Sequence, residues 1–304
     1  MNAVRSAGRP TDRRVPARRP GGSGPLFAAP FLVFFVLFLV VPLLWGLWLS
    51  FTDSSLTGRG DAAFAGLGNY TEALTDSRMW ESIGNTVVFT LLSTVPLVLF
   101  ALVMALLVHT GLPGQWLWRL SFFAPYLVPS AVVWQVGVLL YQPDSGMLNT
   151  LLQSAGLDAI AWLDDEKYAM WSVVLITVWW TVGFNFLLYL AALQAVPEHL
   201  YEAAAIDGAG AWRRLWSITL PQLHRTTALI GVLQILASLK VFDQIFLLTK
   251  GGPNGATRPV LEYIYDTGFT GYRLGYAAAM SYVFFALLLV LSVGQFKLFA
   301  RKEV

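Results

Sequence analysis

Apolar side chains run almost unbroken through six stretches of the chain, at about 26–51, 85–108, 120–141, 170–193, 226–249 and 274–296. A helix needs about 20 residues at 1.5 Å each to cross a hydrocarbon layer of about 30 Å, and each stretch meets that length. Five of the six carry no charged residue. The pattern predicts an all-α polytopic membrane protein with six transmembrane helices. Pro30, Pro42, Pro96, Pro125 and Pro129 fall inside the apolar runs. Neighbouring helices can satisfy the carbonyls that a proline frees, so kinks rather than breaks are expected.

The polar segments divide by charge. With the first 25 residues placed in the cytoplasm, 13 of the 20 Lys and Arg residues fall on that side and six on the other, whereas 12 of the 18 acids fall outside. Basic residues in short loops set membrane orientation, so both termini are expected in the cytoplasm. Residues 1–25, rich in Arg, Pro and Gly, form an expected disordered cytoplasmic tail that touches anionic lipid headgroups at most. The apolar run after it is too long for a signal core and lacks a small-residue cleavage site, so it is expected to stay as the first helix. Neither Arg13-Arg14 nor Arg18-Arg19 precedes an apolar run as a twin-arginine signal would. The membrane domain is expected over 26–300, with 301–304 as a cytoplasmic end.

Composition narrows the chemistry further. Of 304 residues, 56% are apolar and only 12% charged, which points away from nucleic acid and toward lipid as the surrounding medium. There are no cysteines, and His109, His199 and His224 lack ligand spacing, so no metal site is expected. No Ser, His and acid set and no pair of membrane carboxylates suggests an enzyme. G-x-x-x-x-G-K-[ST] is absent, and Gly251-Gly252-Pro253-Asn254-Gly255 lacks its lysine and hydroxyl, so that segment reads as a turn. No cofactor is expected on this chain.

One polar segment is more structured than a connector requires. In 201–221, YEAAAIDGAGAWRRLWSITLP, Pro197 and Glu198 suit the start of a short helix, and Asp207-Gly208 suits its end. A second helix is expected from Ala211, with Trp212, Leu215, Trp216 and Thr219 on one face and Pro221 as its limit. An amphipathic hairpin anchored in headgroups by Trp212 and Trp216 would explain the aromatics. It would not explain Ala203-Ala204-Ala205 beside Glu202. A bare alanine patch next to a carboxylate suits close approach by another protein.

E-A-A-A-I-D-G-A at 202–209, followed by I-T-L-P at 218–221, resembles the EAA loop of bacterial ABC importer permeases. Matching positions are Glu202, Ala203, Ala204, Asp207, Gly208, Ala209, Ile218, Leu220 and Pro221. Gly66-Leu67-Gly68-Asn69-Tyr70, Asn85-Thr86, Phe242-Asp243-Gln244 and Leu248-Thr249-Lys250-Gly251-Gly252-Pro253 are similar to elements of the carbohydrate-uptake branch, the permeases like the first maltose subunit and the glycerol-phosphate permeases. The resemblance spans about residues 26–300. It implies a permease of the bacterial cytoplasmic membrane paired with a second permease, most often as a heterodimer. Two ATPase subunits that hydrolyse ATP and an extracytoplasmic solute-binding protein would complete the assembly. Residues 202–208 would be the coupling helix, turned at Gly208.

Candidate substrate contacts come from two spans. On the fourth, Trp180, Phe184 and Asn185 place aromatic faces and an amide near mid-membrane, where rings can pack on sugars and amides can orient them. On the fifth, Gln234 and Ser238 form a polar seam with Val241, and Lys240 and Asp243 are an expected i, i+3 charged pair on one helix. Helix packing is the competing role for the aromatics, and mutual pairing is the competing role for Lys240 and Asp243. An ion-coupled secondary transporter is the alternative function, and its coupling would have to rest on that one pair.

Overall fold

The computed structural model describes residues 24–58, 63–111 and 113–300. The Arg-rich tail up to residue 23 and the 301–304 end lie outside the described residues. Two compact units emerge, 1–48 and 49–304. In the first, α1 (Gly24–Phe35) passes through a π-turn (Val36–Val40) into α2 (Val41–Ser50), whose last residues enter the second unit. At that turn the Val41 N–H reaches back five residues to the Val36 carbonyl. Pro42 follows, and the wider turn lets the helix pass a residue with no N–H and a ring that crowds the preceding turn.

The second unit continues with α3 (Gly68–Thr75), α4 (Ser77–His109), α5 (Gln115–Phe123), α6 (Ser130–Leu140), α7 (Met147–Ser154) and α8 (Glu166–Gln194). It then runs through α9 (Glu198–Ile206), α10 (Ala211–Arg214), α11 (Leu220–Ser238), α12 (Asp243–Leu248), α13 (Val260–Tyr265) and α14 (Leu274–Ala300). Among the described residues, four helices are long and apolar enough to cross a membrane: Phe27–Ser50, Ser77–His109, Glu166–Gln194 and Leu274–Gln295. A fifth candidate, Gln115–Leu127 with Ser130–Leu140, is bent by 92° at its middle.

Pro125 and Pro129 therefore break that stretch where a kink was expected. Pro125 sits in a 3-10 turn (Ala124–Leu127), and Val128, which precedes Pro129, is extended at ψ 131° because the proline ring disfavours the helical region before it. The exposed Val128 carbonyl is not left empty, since the Trp180 indole N–H donates to it at 3.1 Å. Stretch 226–249 is also interrupted: α11 ends at Ser238 and α12 starts at Asp243. Between them Leu239 and Val241 are buried at 7% and 2% exposure. No Pro or Gly lies in this interval, so the interruption has no local breaker residue.

α4 and α8 form the core of the second unit. Phe89, Leu97, Ala101 and Ala105 of α4 pack with Val173, Val182, Phe186 and Leu190 of α8, all buried. The small Ser93, Ala101 and Ala105 let the two helices approach closely where the hydrophobic effect gives no help between lipid and protein. Both helices begin at one end of the unit, here termed the loop end.

The sequence elements noted outside the EAA segment act as clamps at the loop end. Asn69 Nδ2 donates to the carbonyls of Ser50 and Thr52 at 3.0 and 2.9 Å, and the Tyr70 hydroxyl meets the Ser50 hydroxyl at 2.6 Å. Asn85 Nδ2 donates to the carbonyls of Gly255 and Arg258 at 2.9 and 3.1 Å, and Thr86 accepts the Val260 N–H at 3.0 Å. Asp76 caps α4 through the Arg78 N–H and also accepts both the Tyr263 and Tyr276 hydroxyls, at 2.6 and 2.8 Å. Burial alone would push the Asp76 carboxyl up, but these hydrogen bonds outweigh it and hold it below the usual carboxylate range.

Candidate functional site

The polar hairpin forms as expected in its first half. α9 ends on Asp207, and Gly208 takes the left-handed conformation at φ 73°. The Gly208 N–H donates to the Ala205 carbonyl at 3.1 Å and the Ala209 N–H to the Ala204 carbonyl at 2.8 Å. This is the double hydrogen bond of a Schellman cap, which satisfies two of the last helical carbonyls and fixes the reversal of the chain. A Cβ at Gly208 would meet nothing within 4 Å, so backbone conformation and not crowding requires glycine here.

The two faces of α9 differ. Tyr201 turns inward, its hydroxyl 3.0 Å from that of Thr219. Glu202, Ala203, Ala205, Ile206 and Asp207 stand exposed, Ile206 at 87%. Ala204 and Ala209 are half-buried against the hairpin itself. Among the described residues no hydrogen bond or ion pair holds the Glu202 carboxylate. The surface is thus a carboxylate beside small side chains with one protruding isoleucine.

Pro221 does not end the second helix as expected. α10 runs through a π-turn (Leu215–Thr219) directly into α11, with the Leu220 N–H reaching back five residues to the Leu215 carbonyl. The arrangement repeats that before Pro42: in each case the residue ahead of the proline makes the long hydrogen bond. The second arm of the hairpin is consequently fused to α11 as one continuous helix, while α9 joins it through the capped turn at Gly208.

At the other end of α11 lies a cavity of about 190 Å3 with both apolar and polar side chains in its lining. It brings together four of the side chains singled out in the sequence, Phe184, Asn185, Gln234 and Ser238. The last three, with Ser93, form a relay across three helices. Asn185 Nδ2 donates to Gln234 Oε1 at 2.8 Å, Gln234 Nε2 donates to Ser238 Oγ at 3.0 Å, and Ser238 meets Ser93 of α4 at 3.0 Å. A network with every member paired holds these amides in place.

Trp180 stands at the margin. Its ring lies edge-on to Trp134 at 5.3 Å and tilted against Tyr126 at 6.3 Å, and its N–H is committed to the Val128 carbonyl. Lys240 and Asp243 are not in the lining. The break after Ser238 also removes their expected helical spacing: Lys240 is exposed in the interruption, Asp243 opens α12, and no ion pair joins them. Their loss as a pair weakens the ion-coupled alternative.

Sequence reasoning missed Tyr126, Thr177, Thr181 and Gln244, which also line the cavity. Thr177 and Thr181 share the four-residue spacing that leads to Asn185, a signal that was available. Gln244 was noted only as part of a motif. Tyr126 reaches the cavity through the bend at Pro125–Pro129, which the apolar pattern conceals, and its ring lies 5.5 Å from that of Phe184.

This helical architecture with several apolar spans defines a polytopic membrane protein. The chain belongs to the family described as "Binding-protein-dependent transport system inner membrane component", which matches residues 82–303. It is a multi-pass protein of the bacterial inner membrane and the permease component of an importer that depends on a solute-binding protein. The sulfoquinovosyl glycerol transport system permease of Agrobacterium fabrum is 33% identical, over 91% of this chain and 90% of its own length. The trehalose/maltose transport system permease of Thermococcus litoralis is 34% identical, over 90% of this chain and 94% of its own. In a solved bacterial alginate ABC transporter in complex with an alginate pentasaccharide-bound periplasmic protein, one chain superposes with a TM-score of 0.76 at 25% identity. That match covers 90% of this chain and 93% of the other.

Proposed function

We propose that the chain is one of two permease subunits, paired as a heterodimer, that form the translocation path of an ATP-driven carbohydrate importer. ATP is hydrolysed by two partner ATPase subunits, and this chain binds no cofactor of its own. The membrane domain comprises 26–300 in six crossings, one of them broken at Pro125–Pro129, with both termini in the cytoplasm. Glu202, Ala203, Ala204, Asp207, Gly208 and Ala209 form the contact with an ATPase subunit. The observation that carries this role is the exposed α9, capped at Gly208 against an α10 that continues through a π-turn into α11.

A rigid hairpin continuous with α11 is a lever: closure of the ATPases would tilt α11 and reset the cavity at its far end. The cavity suits a hydroxylated solute. Phe184 and Tyr126 offer ring faces, while the relay of Asn185, Gln234 and Ser238 offers fixed donors and acceptors. The solute-binding protein delivers the solute from the loop end, in keeping with the periplasmic protein in the alginate complex and with the sugar-derived solutes of both relatives.

Gln234→Leu removes the central member of the relay and strands Asn185 and Ser238. The solute transport rate at saturating binding protein is expected to fall about tenfold or more, in line with the 1–3 kcal/mol cost of leaving a buried polar partner unpaired. ATP hydrolysis by the assembled complex should persist. Unchanged uptake by Gln234→Leu would place the path elsewhere.

A further inference from the structure

Leu248-Thr249-Lys250-Gly251-Gly252-Pro253 takes part in neither the hairpin nor the cavity, yet it is held from several sides. Thr249 and Thr257 hydroxyls lie 2.8 Å apart, and Thr257 donates to the Gly252 carbonyl at 2.7 Å. Asn85 of α4 holds the Gly255 and Arg258 carbonyls, and Asn254 donates to Glu166 at the start of α8 at 2.8 Å. Lys250 and Asn254 both adopt positive φ, at 52° and 50°. Glycine would occupy that conformation at less cost, so the two side chains are retained where the backbone does not favour them.

The loop frames a polar pocket of about 390 Å3 with the first turns of α4. Arg78, Lys250 and Arg258 line it against a single carboxylate, Glu81. Arg258 approaches Asp266 at 4.0 Å, while neither Arg78 nor Lys250 has an ion-pair partner among the described residues. The concentration of positive charge runs against its surroundings, since the segments assigned to this side carry 12 acids and six bases. Ser82 of the pocket and Phe89 of the cavity sit seven residues apart on α4, two turns or about 10 Å along one helix face. The pocket therefore lies directly outward of the cavity.

We propose that this pocket receives a carboxylate side chain of the solute-binding protein as that protein docks. The proposal rests on the importer function and orientation given above. Guanidinium groups match carboxylates in geometry and charge, and a cationic recess in an acidic surface both steers and orients an approaching acidic partner. The solute's own charge is a poorer occupant. The cavity two turns inward has no cationic side chain in its lining, so an anionic group drawn in by the pocket would next be stranded without a counter-charge.

The test uses the full complex of permeases and ATPases in lipid nanodiscs, with ATP hydrolysis followed against the concentration of solute-loaded binding protein. For Arg78→Glu and Lys250→Glu the concentration giving half-maximal stimulation is expected to rise about tenfold or more, with basal and maximal rates retained and with a flatter salt dependence. Lys250→Arg should behave as the parent. Because the chain has no cysteine, Asn254→Cys adds a single thiol, and its labelling by an impermeant maleimide should slow when loaded binding protein is present. Unchanged half-saturation together with unchanged labelling would overturn the proposal. So would a shift only in the solute concentration required at saturating binding protein, which assigns the pocket to the solute. A parent complex whose ATP hydrolysis shows no response to the loaded binding protein would instead overturn the importer function, and this proposal with it.

Discussion

Gly208→Val is expected to abolish ATP-dependent uptake while the protein still inserts and keeps its thermal stability within a few degrees. Gly208 holds φ 73°, a conformation that costs an L-residue about 1–2 kcal/mol and a β-branched one more. The cost falls on the cap that fixes the angle between α9 and α10, and not on the buried core. A Cβ there has open space within this chain, so any clash would arise with a docked ATPase subunit. Glu202→Arg probes the same surface by charge alone, because Glu202 has no hydrogen-bond or ion-pair partner among the described residues. Uptake is expected to fall at least about tenfold, as for a charge reversed in a desolvated contact. Wild-type uptake by both inserted variants would instead leave the hairpin as a headgroup anchor, held by the exposed Trp212 and Trp216.

Gly183→Val should cause a large loss of stability. Gly183 lies in the buried middle of α8, where a Cβ would come to 2.5 Å from the Phe122 carbonyl oxygen and 2.9 Å from the Phe123 Cα. Both obstacles are backbone, so no rotamer change relieves them. Overpacking of this kind costs about 1–3 kcal/mol or more, and here it pries α5 from α8 and disturbs the edge-on contact of Phe122 with Phe186. A drop in the unfolding midpoint of the detergent-solubilised protein, read by size-exclusion chromatography after heating, checks it. An unchanged midpoint would mean that α5 is free to move away from α8.

What the sequence reveals here depends on how local each cause is. The end of α9 is legible because a Schellman cap is made within six residues and needs a glycine at one of them. The passage of α10 into α11 is not, because Pro221 reads as a terminator unless the preceding turn widens. Hydropathy likewise locates 120–141 and 226–249 as apolar but is blind to where they turn. The break after Ser238 has no breaker residue to mark it, so the sequence predicts for Lys240 and Asp243 a helical spacing that the fold does not provide. In the cavity, Gln234 and Ser238 share one helix and their contact follows from spacing. Their link to Asn185 and Ser93 requires the packing of α11 against α8 and α4.

Buried charge at the loop end shows the same limit. Glu262 has ordinary surroundings in sequence, yet it is 2% exposed and its carboxyl is pushed up to about 7, by burial first and by Asp266 second, with Arg258 opposing. Glu72 is held down instead by a two-pronged hydrogen bond from Arg273 at 2.7 Å. Asp266 and Arg258 flank Glu262 at four residues on either side, but its burial does not follow from the sequence, and neither does the pairing of Glu72 with Arg273, 201 residues away.

This chain is expected to move a solute only when ATPase subunits drive it through α9. The most direct measurement is solute uptake into proteoliposomes containing the chain, its partner permease and the ATPases, with binding protein outside and ATP within. Uptake is expected with ATP and to vanish when the ATPases are omitted or when Gly208→Val replaces the parent. Uptake by the chain without ATPases, driven by an imposed proton or sodium gradient, would contradict the claim.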